Sequence, residues 1–370
     1  MCSLTIMDTT GNPEIKFDEN GICNYVRDYQ RLLAVRVPDE ARRSAKLQRM
    51  VEDIKNSGAG KEYDCVIGVS GGVDSTYLAY LVKTLGLRPL AVHLDNGWNS
   101  ELAVSNIEKT LKAIDIDLHT HVLNWEEFKD LQLSFLKASV PDGEIPTDHA
   151  ITAILYKMAA KFKIKYIISG TNVKTEGIMP AIWSDGHLDW KYIKGIQSKF
   201  GTHRLKSYPH LSLFSYFNFI LIKGIKKVSI LDYVEYDKPK VLKFLESELG
   251  WRNYGGKHYE SIYTRFFQGY VLVKKFNIDK RRGHLSTLIC SGMMTKSEAL
   301  DEIKSDPYPS KQMLQEDIDF VMKKLNLTEE EFKDILNLEN KFYGDYKNSK
   351  WILERLWSAY DYFRKLKTRS

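Results

Sequence analysis

A short string of small and polar residues, Ser70-Gly71-Gly72-Val73-Asp74-Ser75, separates two apolar stretches of the chain. Two adjacent glycines let the backbone turn sharply and bring amide N–H groups close to a ligand. A helix that begins directly after such a turn adds unpaired N–H groups and the positive end of its dipole. Hydroxyl groups and an aspartate suit a phosphate and the Mg²⁺ that accompanies it. The string therefore predicts a phosphate-binding loop.

The residues on either side of the string predict the elements that position it. Residues 64–69 are short and rich in β-branched side chains, which favours a buried strand of a parallel sheet. From Asp74 to Leu85 apolar residues recur at helical spacing, and Gly86 ends the pattern. The lysine-containing G-x-x-x-x-G-K-[ST] string of nucleotide hydrolases is absent from the sequence. We therefore expect a different kind of phosphate loop between a strand and a helix.

Strand and helix patterns continue to alternate after this loop. Strands are predicted at 63–69, 89–95, 117–123 and 165–170, and helices at 74–85, 100–113, 125–138 and 147–163. Such alternation predicts an α/β fold with a parallel sheet and helices on both faces. We expect a leader over residues 1–60, an ATP-binding α/β unit over 61–200 and a mainly helical region over 201–370. In that last region, capping boxes at Thr295 and Thr328 predict two helix starts.

Composition and charge restrict the class of protein. A length of 370 residues leaves room for two domains, and 43% hydrophobic with 28% charged residues is typical of a globular protein. The formal net charge of +6 fits an anionic substrate and does not require nucleic acid as a partner. Residues 1–17 lack the apolar core of a signal peptide. We therefore expect a cytoplasmic location.

The most apolar stretch of the chain, LSLFSYFNFILIKGIKKVSIL, begins at Leu211. Lys223, Lys226 and Lys227 interrupt it before about 18 apolar residues accumulate, so that we expect no transmembrane segment. A buried helix is the favoured interpretation of this stretch. An interfacial helix beside the lysines is the alternative.

Three other predicted elements begin or end with residues suited to a ligand. Leu94 and Asp95 end the second strand just before an Asn-Gly turn, although a simple turn explains them equally well. Gly170 and Thr171 end the fourth strand and again allow the backbone to approach a phosphate closely. Further polar candidates are Lys174 and Glu176 after the fourth strand, and Thr147, Asp148 and His149 at a helix start.

At that helix start, Thr147 or Asp148 would cap the helix through its side-chain oxygen. His149 would then lie in the first turn, from which its side chain could face the ligand cleft. For one of the two possible caps a purely structural role is the simpler interpretation.

Aromatic, basic and histidine residues, Lys280 among them, are concentrated after Gly255-Gly256. The candidates for binding an anionic substrate there are Lys257, His258, Tyr259, Glu260, Arg265, Arg281, Arg282 and His284. Guanidinium groups can form paired hydrogen bonds to a diphosphate. A solvated charged surface is the alternative interpretation, since most runs of charge are of that kind.

The S-G-G-V-D-S string resembles the pyrophosphate loop (PP-loop) of the ATP pyrophosphatase superfamily, which includes GMP synthetase and asparagine synthetase. Further stretches narrow the resemblance to the N-acetyl sugar amidotransferase family. They are MDTTGNPEIKFDENGICNY, LDNGWNSELA, SGTN…TEGIMP and YGGKHYES…FFQGY…DKRRGHLSTLICSG. The resemblance extends from the first residues to about residue 300.

This resemblance implies ATP and Mg²⁺ as cofactors. The loop, residues 70–75, would hold the β- and γ-phosphates as one leaving group, Asp74 would bind Mg²⁺, and the adenine would lie near Leu94 and Asp95. The residues implied in catalysis are Asp74, Ser75, Lys174 and Glu176, and Gly170 and Thr171 would also contact the nucleotide.

The reaction implied by the family is the amidation of an N-acetyl group on a nucleotide-linked sugar of bacterial surface polysaccharide, such as the O-antigen of lipopolysaccharide. ATP would activate the acetamido oxygen as an AMP ester, and ammonia would displace AMP to leave an acetamidino group. The ammonia is expected from a separate glutaminase similar to the glutaminase and cyclase pair of histidine biosynthesis.

The leader departs from the family at a metal site. The family has two Cys-x-x-Cys pairs about twenty residues apart, a spacing typical of structural zinc. Here the pairs read Cys2-Ser-Leu-Thr5 and Cys23-Asn-Tyr-Val26, so that two of the four thiolates are missing. We therefore expect no structural zinc, and packing by Ile6, Ile22 and Val26 in its place.

Two other functions remain open from the sequence. A tRNA-modifying enzyme of the same superfamily would use the same loop, although no basic RNA-binding domain or catalytic cysteine pair is evident. A non-catalytic nucleotide-binding module is the second alternative. We expect no built-in glutaminase that begins at Cys2, because the roughly sixty residues before the loop are fewer than a typical domain of about 100–150 residues.

Overall fold

Five short parallel strands form the centre of the computed structural model, which describes residues 1–256 and 259–355. The strands are β1 (Cys65–Gly68), β2 (Pro89–Asp95), β3 (Asp117–Val122), β4 (Tyr166–Ser169) and β5 (Lys226–Ser229). Their order in the sheet is β3-β2-β1-β4-β5, with Cys65 opposite Pro89 and Val66 opposite Ile167. Because all strands run in one direction, their carboxyl ends meet at the same edge of the sheet.

The strand order reverses beside β1. The chain builds β2 and β3 on one side of β1, and then returns to place β4 and β5 on the other side. In open parallel sheets, such a reversal opens a crevice at the carboxyl ends of the two strands that flank it. The phosphate loop follows β1 directly, and Gly170 follows β4, so that both lie at this crevice.

Helices cover the sheet and form most of the C-terminal half of the chain. The helices within the described residues are α1 (Asn24–Arg36), α2 (Glu40–Ser57), α3 (Val73–Thr84), α4 (Glu101–Ala113), α5 (Trp125–Ala138), α6 (Ile145–Lys161), α7 (Val173–Glu176), α8 (Trp190–Phe200), α9 (Leu213–Phe217), α10 (Lys238–Leu249), α11 (Ile262–Phe266), α12 (Leu272–Phe276), α13 (Arg281–Cys290), α14 (Lys296–Glu302), α15 (Lys311–Leu325) and α16 (Glu329–Asn337). Single π-helical turns follow α9 and α11, at Asn218–Ile222 and Phe267–Val271.

Apolar residues of the strands alternate between two cores, as the period of a β-strand requires. Val66 of β1 belongs to a core that includes residues of α5 and α6. Its neighbours Cys65 and Ile67 belong to a second core, which is formed with residues of α2, α3, α4 and α10. Burial on both faces explains why the strands are almost continuously apolar in sequence.

The predicted α/β fold is confirmed. Each of the four predicted strands and four predicted helices is present, with ends that differ from the prediction by no more than a few residues. Capping boxes at Thr295 and Thr328 open α14 and α16, as expected. None of the described helices is both long enough and apolar enough to cross a membrane.

The prediction of a buried helix from Leu211 is wrong. The helical part ends at Ile222, and the side chains of Phe214 and Ile222 are 84% and 81% exposed. Gly224 then adopts a φ of +64°, which breaks the helical path, and β5 follows. The free edge of β4 supplies the N–H and C=O partners that make a strand favourable here. The sheet therefore extends beyond residue 200, while the proposed domain limits stay a prediction.

The leader packs against the C-terminal half of the chain. Ile6 is fully buried beside Leu285 and Ala299, Val26 lies in the main core, and Ile22 is partly buried. Arg282 pairs with Asp8 at 2.8 Å. The leader thereby holds α13, whose first turn reaches the candidate site described next.

Candidate active site

The phosphate loop has a conformation that requires glycine. Gly71 has a φ of +81°, and a Cβ atom at this position would lie 2.5 Å from the carbonyl oxygen of Ala103 in α4. Trp251 donates a hydrogen bond from its indole N–H to the Gly71 carbonyl at 2.9 Å. The first glycine of the loop thus serves the turn and its packing, and Gly72 forms the N-cap of α3.

The two loop serines organise the turn through their hydroxyl groups. Ser75 Oγ accepts a hydrogen bond from the Ser70 amide at 3.2 Å and donates one to the Gly72 carbonyl at 3.1 Å. Ser70 Oγ accepts from the Gly72 amide at 3.3 Å and lies 3.2 Å from Ser75 Oγ. The hydroxyl groups are therefore preorganised at the N-terminus of α3, where an anion is favoured.

The C-terminal half of the chain covers this loop. Tyr236 donates a hydrogen bond to the Asp74 carboxylate, and burial together with this carboxylate raises the pKa of Tyr236 well above its usual value. A Cβ atom on Gly72 would lie within 3.2 Å of the Tyr254 hydroxyl and 3.3 Å of Glu260 Oε1. Three side chains that follow residue 230 therefore surround a loop that follows β1.

A cavity of about 250 Å³ lies over the loop. Its lining residues are Ser70, Gly72, Val73, Asp74, Ser75, Lys238, Leu242, Asn253, Tyr254, Gly255, Gly256 and Glu260. Lys238, in the first turn of α10, is a cation that the sequence analysis did not identify. Its position in this cavity suits a ligand with several negative charges.

A second and larger cavity, of about 560 Å³, occupies the crevice between β1 and β4. It shares Ser70 and Glu260 with the smaller cavity, so that the two are neighbours. Its polar and charged lining residues are Ser70, His93, Asn96, Asn99, Glu144, Thr147, Asp148, Thr152, Ser169, Glu176, Lys227, Glu260, Ser261, Thr264, Gln268, Lys280 and His284. Ile151, Leu155 and Ile167 add an apolar part of the wall.

The structure brings together about half of the residues predicted for the site. Ser70, Gly72, Val73, Asp74, Ser75, Leu94, Gly170, Glu176, Glu260 and His284 line one or both cavities. Gly71 lies behind the loop, and Lys257 and His258 lie outside the described residues. The remaining candidates are absent from both linings: Asp95, Thr171, Lys174, Tyr259, Arg265, Arg281 and Arg282.

Three of these remaining candidates make local contacts near strand ends. Asp95 accepts a hydrogen bond from the Gly97 amide at 2.9 Å, as the simple turn interpretation requires. The Thr171 hydroxyl lies 3.1 Å from that of Ser229 in β5. The carbonyl of Lys174 accepts a hydrogen bond from Ser291 at 2.8 Å. Their roles in nucleotide binding or catalysis stay predictions.

The arginines predicted to bind a diphosphate each have a carboxylate partner. Arg265 forms two hydrogen bonds of 2.7 Å to Asp317, and its guanidinium group lies 4.9 Å from the ring centre of Tyr259. Arg281 pairs with Asp279 at 2.7 Å, and Arg282 pairs with Asp8 at 2.8 Å. These contacts give all three arginines a structural role, and binding of the substrate by them stays a prediction.

The basic residues at the start of α13 point in different directions. Lys280 and His284 are four residues apart, so that they lie on the same side of the helix and line the larger cavity. Arg281 and Arg282 lie on other sides and contact Asp279 and Asp8. One short basic run in the sequence thus serves both the cavity and the packing of the leader.

Lys280 is buried and remains charged because carboxylates surround it. Its ammonium group lies 3.5 Å from Glu144, whose carboxylate also accepts a 2.6 Å hydrogen bond from Gln268 in the second π-helical turn. Burial alone would lower the pKa of Lys280, but the carboxylates of Asp142, Glu144 and Asp148 raise it above its usual value. A fixed positive charge therefore stands at the wall of the larger cavity.

The helix start at α6 differs from its prediction. The helix begins at Ile145, and neither Thr147 nor Asp148 caps it. Both side chains instead line the larger cavity, together with Ile151 and Thr152 one turn further on. The signal in the sequence is the helical spacing of these polar residues in an otherwise apolar helix, which the capping interpretation overlooked.

The expectation that His149 could face the cleft is wrong. His149 is fully buried, its Nδ1 lies 2.7 Å from the His187 carbonyl oxygen, and its Nε2 accepts a 3.0 Å hydrogen bond from the Leu211 amide. Burial lowers the pKa of His149 to about 4. A neutral imidazole therefore fastens the loop before α9 to α6.

The leader cysteines lie next to each other and away from both cavities. Cys2 Sγ accepts a hydrogen bond from the Cys23 amide at 3.3 Å. Burial opposes ionisation of Cys2, but hydrogen bonds from Thr5, Cys23 and Leu4 lower its pKa to about 7. Within the part of the chain that the structure describes, no group of three or more His, Cys, Asp or Glu residues is arranged to hold a metal ion. The absence of structural zinc stays a prediction.

One protein family resembles the C-terminal part of the chain. Residues 260–364 match the family model described as LPS biosynthesis protein WbpG-like, C-terminal domain. This segment includes α11 to α16, and with them Lys280, His284 and Gln268 of the larger cavity.

Two curated proteins resemble shorter parts of the chain. A glutamine-hydrolyzing GMP synthase from Pyrobaculum aerophilum is 35% identical over 108 residues, which cover 29% of this chain and 21% of that protein. The tRNA-specific 2-thiouridylase MnmA 2 from Fusobacterium nucleatum is 29% identical over 119 residues, which cover 30% of this chain and 34% of that protein. Each match thus spans only a minor part of the relative's length.

Two synthetases are among the solved structures that the chain matches. The NH₃-dependent NAD synthetase from Campylobacter jejuni matches 58% of this chain and 94% of its own, with 14% identity and a TM-score of 0.30. The NMN synthetase from Francisella tularensis matches 61% of this chain and 92% of its own, with 17% identity and a TM-score of 0.29. Matches at this level add no argument about function.

Proposed function

We propose that this chain, which joins a PP-loop α/β unit to a WbpG-like C-terminal domain of lipopolysaccharide biosynthesis, is an ATP-dependent N-acetyl sugar amidotransferase. It would convert the acetamido group of a nucleotide-linked sugar into an acetamidino group through an adenylated intermediate. The observation that carries this proposal is the pair of neighbouring cavities, one over the phosphate loop and one lined by acid and base side chains, which meet at Ser70 and Glu260.

The smaller cavity fits the β- and γ-phosphates of ATP. Gly72 lines this cavity, the hydroxyl groups of Ser70 and Ser75 lie at the N-terminus of α3, and Lys238 faces the same space. The Asp74 carboxylate would hold Mg²⁺, which neutralises charge on the departing pyrophosphate. Tyr236 orients that carboxylate through its hydrogen bond.

The larger cavity fits the α-phosphate, the nucleoside and the acetamido group of the second substrate. Its apolar wall at Ile151, Leu155 and Ile167 suits a base or a methyl group, and its side-chain amides and hydroxyl groups suit a sugar. Lys227 of β5 and Lys280 at the start of α13 both line this cavity and supply positive charge. In this arrangement the acetamido oxygen would approach the α-phosphorus from the side opposite the pyrophosphate, as an in-line displacement requires.

Adenylation is needed because an amide is a weak electrophile and its oxygen is a poor leaving group. Once AMP is attached to that oxygen, water and ammonia compete for the activated carbon, and water would only restore the amide. Tyr254 and Glu260 cover the junction of the two cavities and would restrict the access of water there. We propose that a separate glutaminase and cyclase-like pair supplies the ammonia, and that the reaction occurs in the cytoplasm.

The test is a product analysis with the purified chain. ATP, Mg²⁺, ammonium and a panel of UDP-, GDP- and CMP-linked N-acetyl sugars should yield AMP, pyrophosphate and an acetamidino sugar in equal amounts. Glutamine should not replace ammonium until a glutaminase is added. Formation of ADP and phosphate would contradict the adenylation chemistry, and turnover of glutamine by the chain alone would contradict the division of labour.

A tRNA-thiolating enzyme is the second candidate, and the match to a 2-thiouridylase favours it. Thiolation on this pattern would need a reactive cysteine near the activated base. None of the four cysteines of the chain is among the lining residues of either cavity, and burial raises the pKa of Cys65 well above its usual value. Pyrophosphate release that depends on tRNA and not on a nucleotide sugar would favour this alternative.

A further inference from the structure

Asp148 stands apart from the other charged groups of the larger cavity. Glu144 is engaged by Lys280 and Gln268, and Asp142 accepts hydrogen bonds from Ser184 at 2.7 Å and from the Glu144 amide at 3.2 Å. Within the described residues, no hydrogen bond or ion pair of the Asp148 carboxylate is present. This carboxylate is exposed to the cavity and faces the space in which we place the second substrate.

The charges around Asp148 come from several elements. Asp142 and Glu144 precede it, at and before the start of α6, Lys280 lies beside α13, Lys227 belongs to β5, and Tyr208 belongs to the loop before α9. The side chain has surface in the cavity, and the cavity itself lies within the protein. Burial and the two carboxylates outweigh the two lysines and raise the pKa of Asp148 to about 8.

The proposed reaction requires a group that both accepts and returns one proton. When the acetamido oxygen bonds to the α-phosphorus and the bond to pyrophosphate breaks, the amide nitrogen becomes acidic and must lose its proton to leave a neutral imidate. When ammonia adds to the imidate carbon, that nitrogen must regain a proton as AMP leaves with the electron pair of the C–O bond. The nitrogen that has added carries three hydrogens and loses one of them to the departing AMP phosphate, so that the product is an amidinium ion with one N–H bond on the sugar nitrogen and two on the new nitrogen.

We propose that Asp148 is the catalytic residue that takes this N–H proton during adenylation and returns it to the same nitrogen when ammonia adds. The proposal rests on the proposed function and on the position of the free carboxylate in the larger cavity. Lys280 and Glu144 are positioning residues, since their ion pair and the hydrogen bond from Gln268 hold the start of α6 against α13 and the second π-helical turn. Neither Thr147 nor His149 can replace Asp148, because the former does not ionise and the latter faces away.

The experiment separates the proton step from the supply of ammonia. Exchange of labelled pyrophosphate into ATP reports adenylation alone, and it is measured from pH ~6 to ~9.5 with the nucleotide sugar panel and without ammonium. In the wild type the exchange rate should rise with an inflection near pH 8, the value to which the site raises the pKa of Asp148. Asp148→Asn should lower the rate by about 100-fold or more and remove the inflection, while the KM for ATP stays unchanged.

Two further variants complete the test. Asp148→Glu should recover part of the rate and restore a pH inflection, because it keeps an ionisable group. Asp115→Asn, at a fully exposed carboxylate, should behave as the wild type. A rate for Asp148→Asn equal to the wild type, or one reduced equally at all pH values with the inflection kept, would overturn the role of Asp148. Wild-type protein without any exchange that depends on a nucleotide sugar would instead contradict the proposed function.

Discussion

The phosphate loop and the start of α13 are both short, conspicuous strings, and the structure treats them in opposite ways. In the loop, Ser70, Gly72, Asp74 and Ser75 all face one cavity. At α13, Lys280 and His284 face a cavity while Arg281 and Arg282 contact aspartates elsewhere. The difference arises because a turn presents consecutive backbone amides to one ligand, whereas a helix turns each successive side chain by about 100°.

The comparison teaches how far a string of residues can be trusted. Where the backbone binds the ligand, the string itself specifies the site, since the glycines are needed for the turn. Where side chains bind it, a run of like residues is divided according to helix phase and to the partners available.

Replacing Asp74 by Asn should produce the largest loss. The amide can still accept the hydrogen bond from Tyr236, so that the fold should persist, but it binds Mg²⁺ far less well than a carboxylate. We expect pyrophosphate release to fall by about 1,000-fold or more, with an unchanged melting temperature. Normal turnover by Asp74→Asn would show that the loop does not hold the metal, and Asp115→Asn provides the matched control.

Gly71→Ala should test whether the turn itself is required. The substitution places a Cβ 2.5 Å from the Ala103 carbonyl oxygen at a φ of +81°. We therefore expect the unfolding free energy to fall by about 2–4 kcal/mol, and pyrophosphate release to be lost. Gly60→Ala is the control, because Gly60 also has a positive φ, +72°, but no atom lies within 4 Å of the added methyl group. Equal stability of the two variants, measured by urea unfolding, would contradict a specific steric requirement at Gly71.

Lys280→Met and Arg282→Met should separate the two sides of α13. Lys280→Met removes the charge at the cavity and should raise the KM for the nucleotide sugar by about 10-fold. Arg282→Met breaks the pair with Asp8 and should lower the unfolding free energy by about 1–2 kcal/mol without changing that KM. A KM effect for Arg282→Met or Arg281→Met, measured by initial rates, would instead support the diphosphate contact that the sequence suggested.

The smallest expected effect is a pH dependence of stability at Asp148. The pKa of this carboxyl group is about 8 in the folded protein, above the value of about 4 for an exposed aspartate, so that the folded state holds the proton more tightly. Stability contributed by this group is therefore lost as the pH rises from ~4 to ~8. Asp148→Asn cannot ionise, and its melting temperature relative to the wild type should rise by a few degrees over this range. A constant difference would contradict a raised pKa.

Much of the fold followed from the sequence because local patterns and the final structure agree. The alternation of apolar strands and amphipathic helices over residues 63–163 specified the sheet and its covering helices. The failure at β5 has a physical cause: Lys226–Ser229 is too short and too polar to be recognised alone, and it becomes a strand because β4 offers a free edge.

The site divides in the same manner. The identity and spacing of Ser70 to Ser75 determined the phosphate loop by themselves, because glycine is the residue that permits its turn and backbone amides are present in every sequence. Only the tertiary structure decided which side chains from α6, α10 and α13 face the ligand. Asp148 belongs to α6, Lys238 to the start of α10 and Lys280 to the start of α13. These elements are distant from one another in the sequence. Their common position depends on helix phase and on the packing of whole elements, which no local pattern encodes.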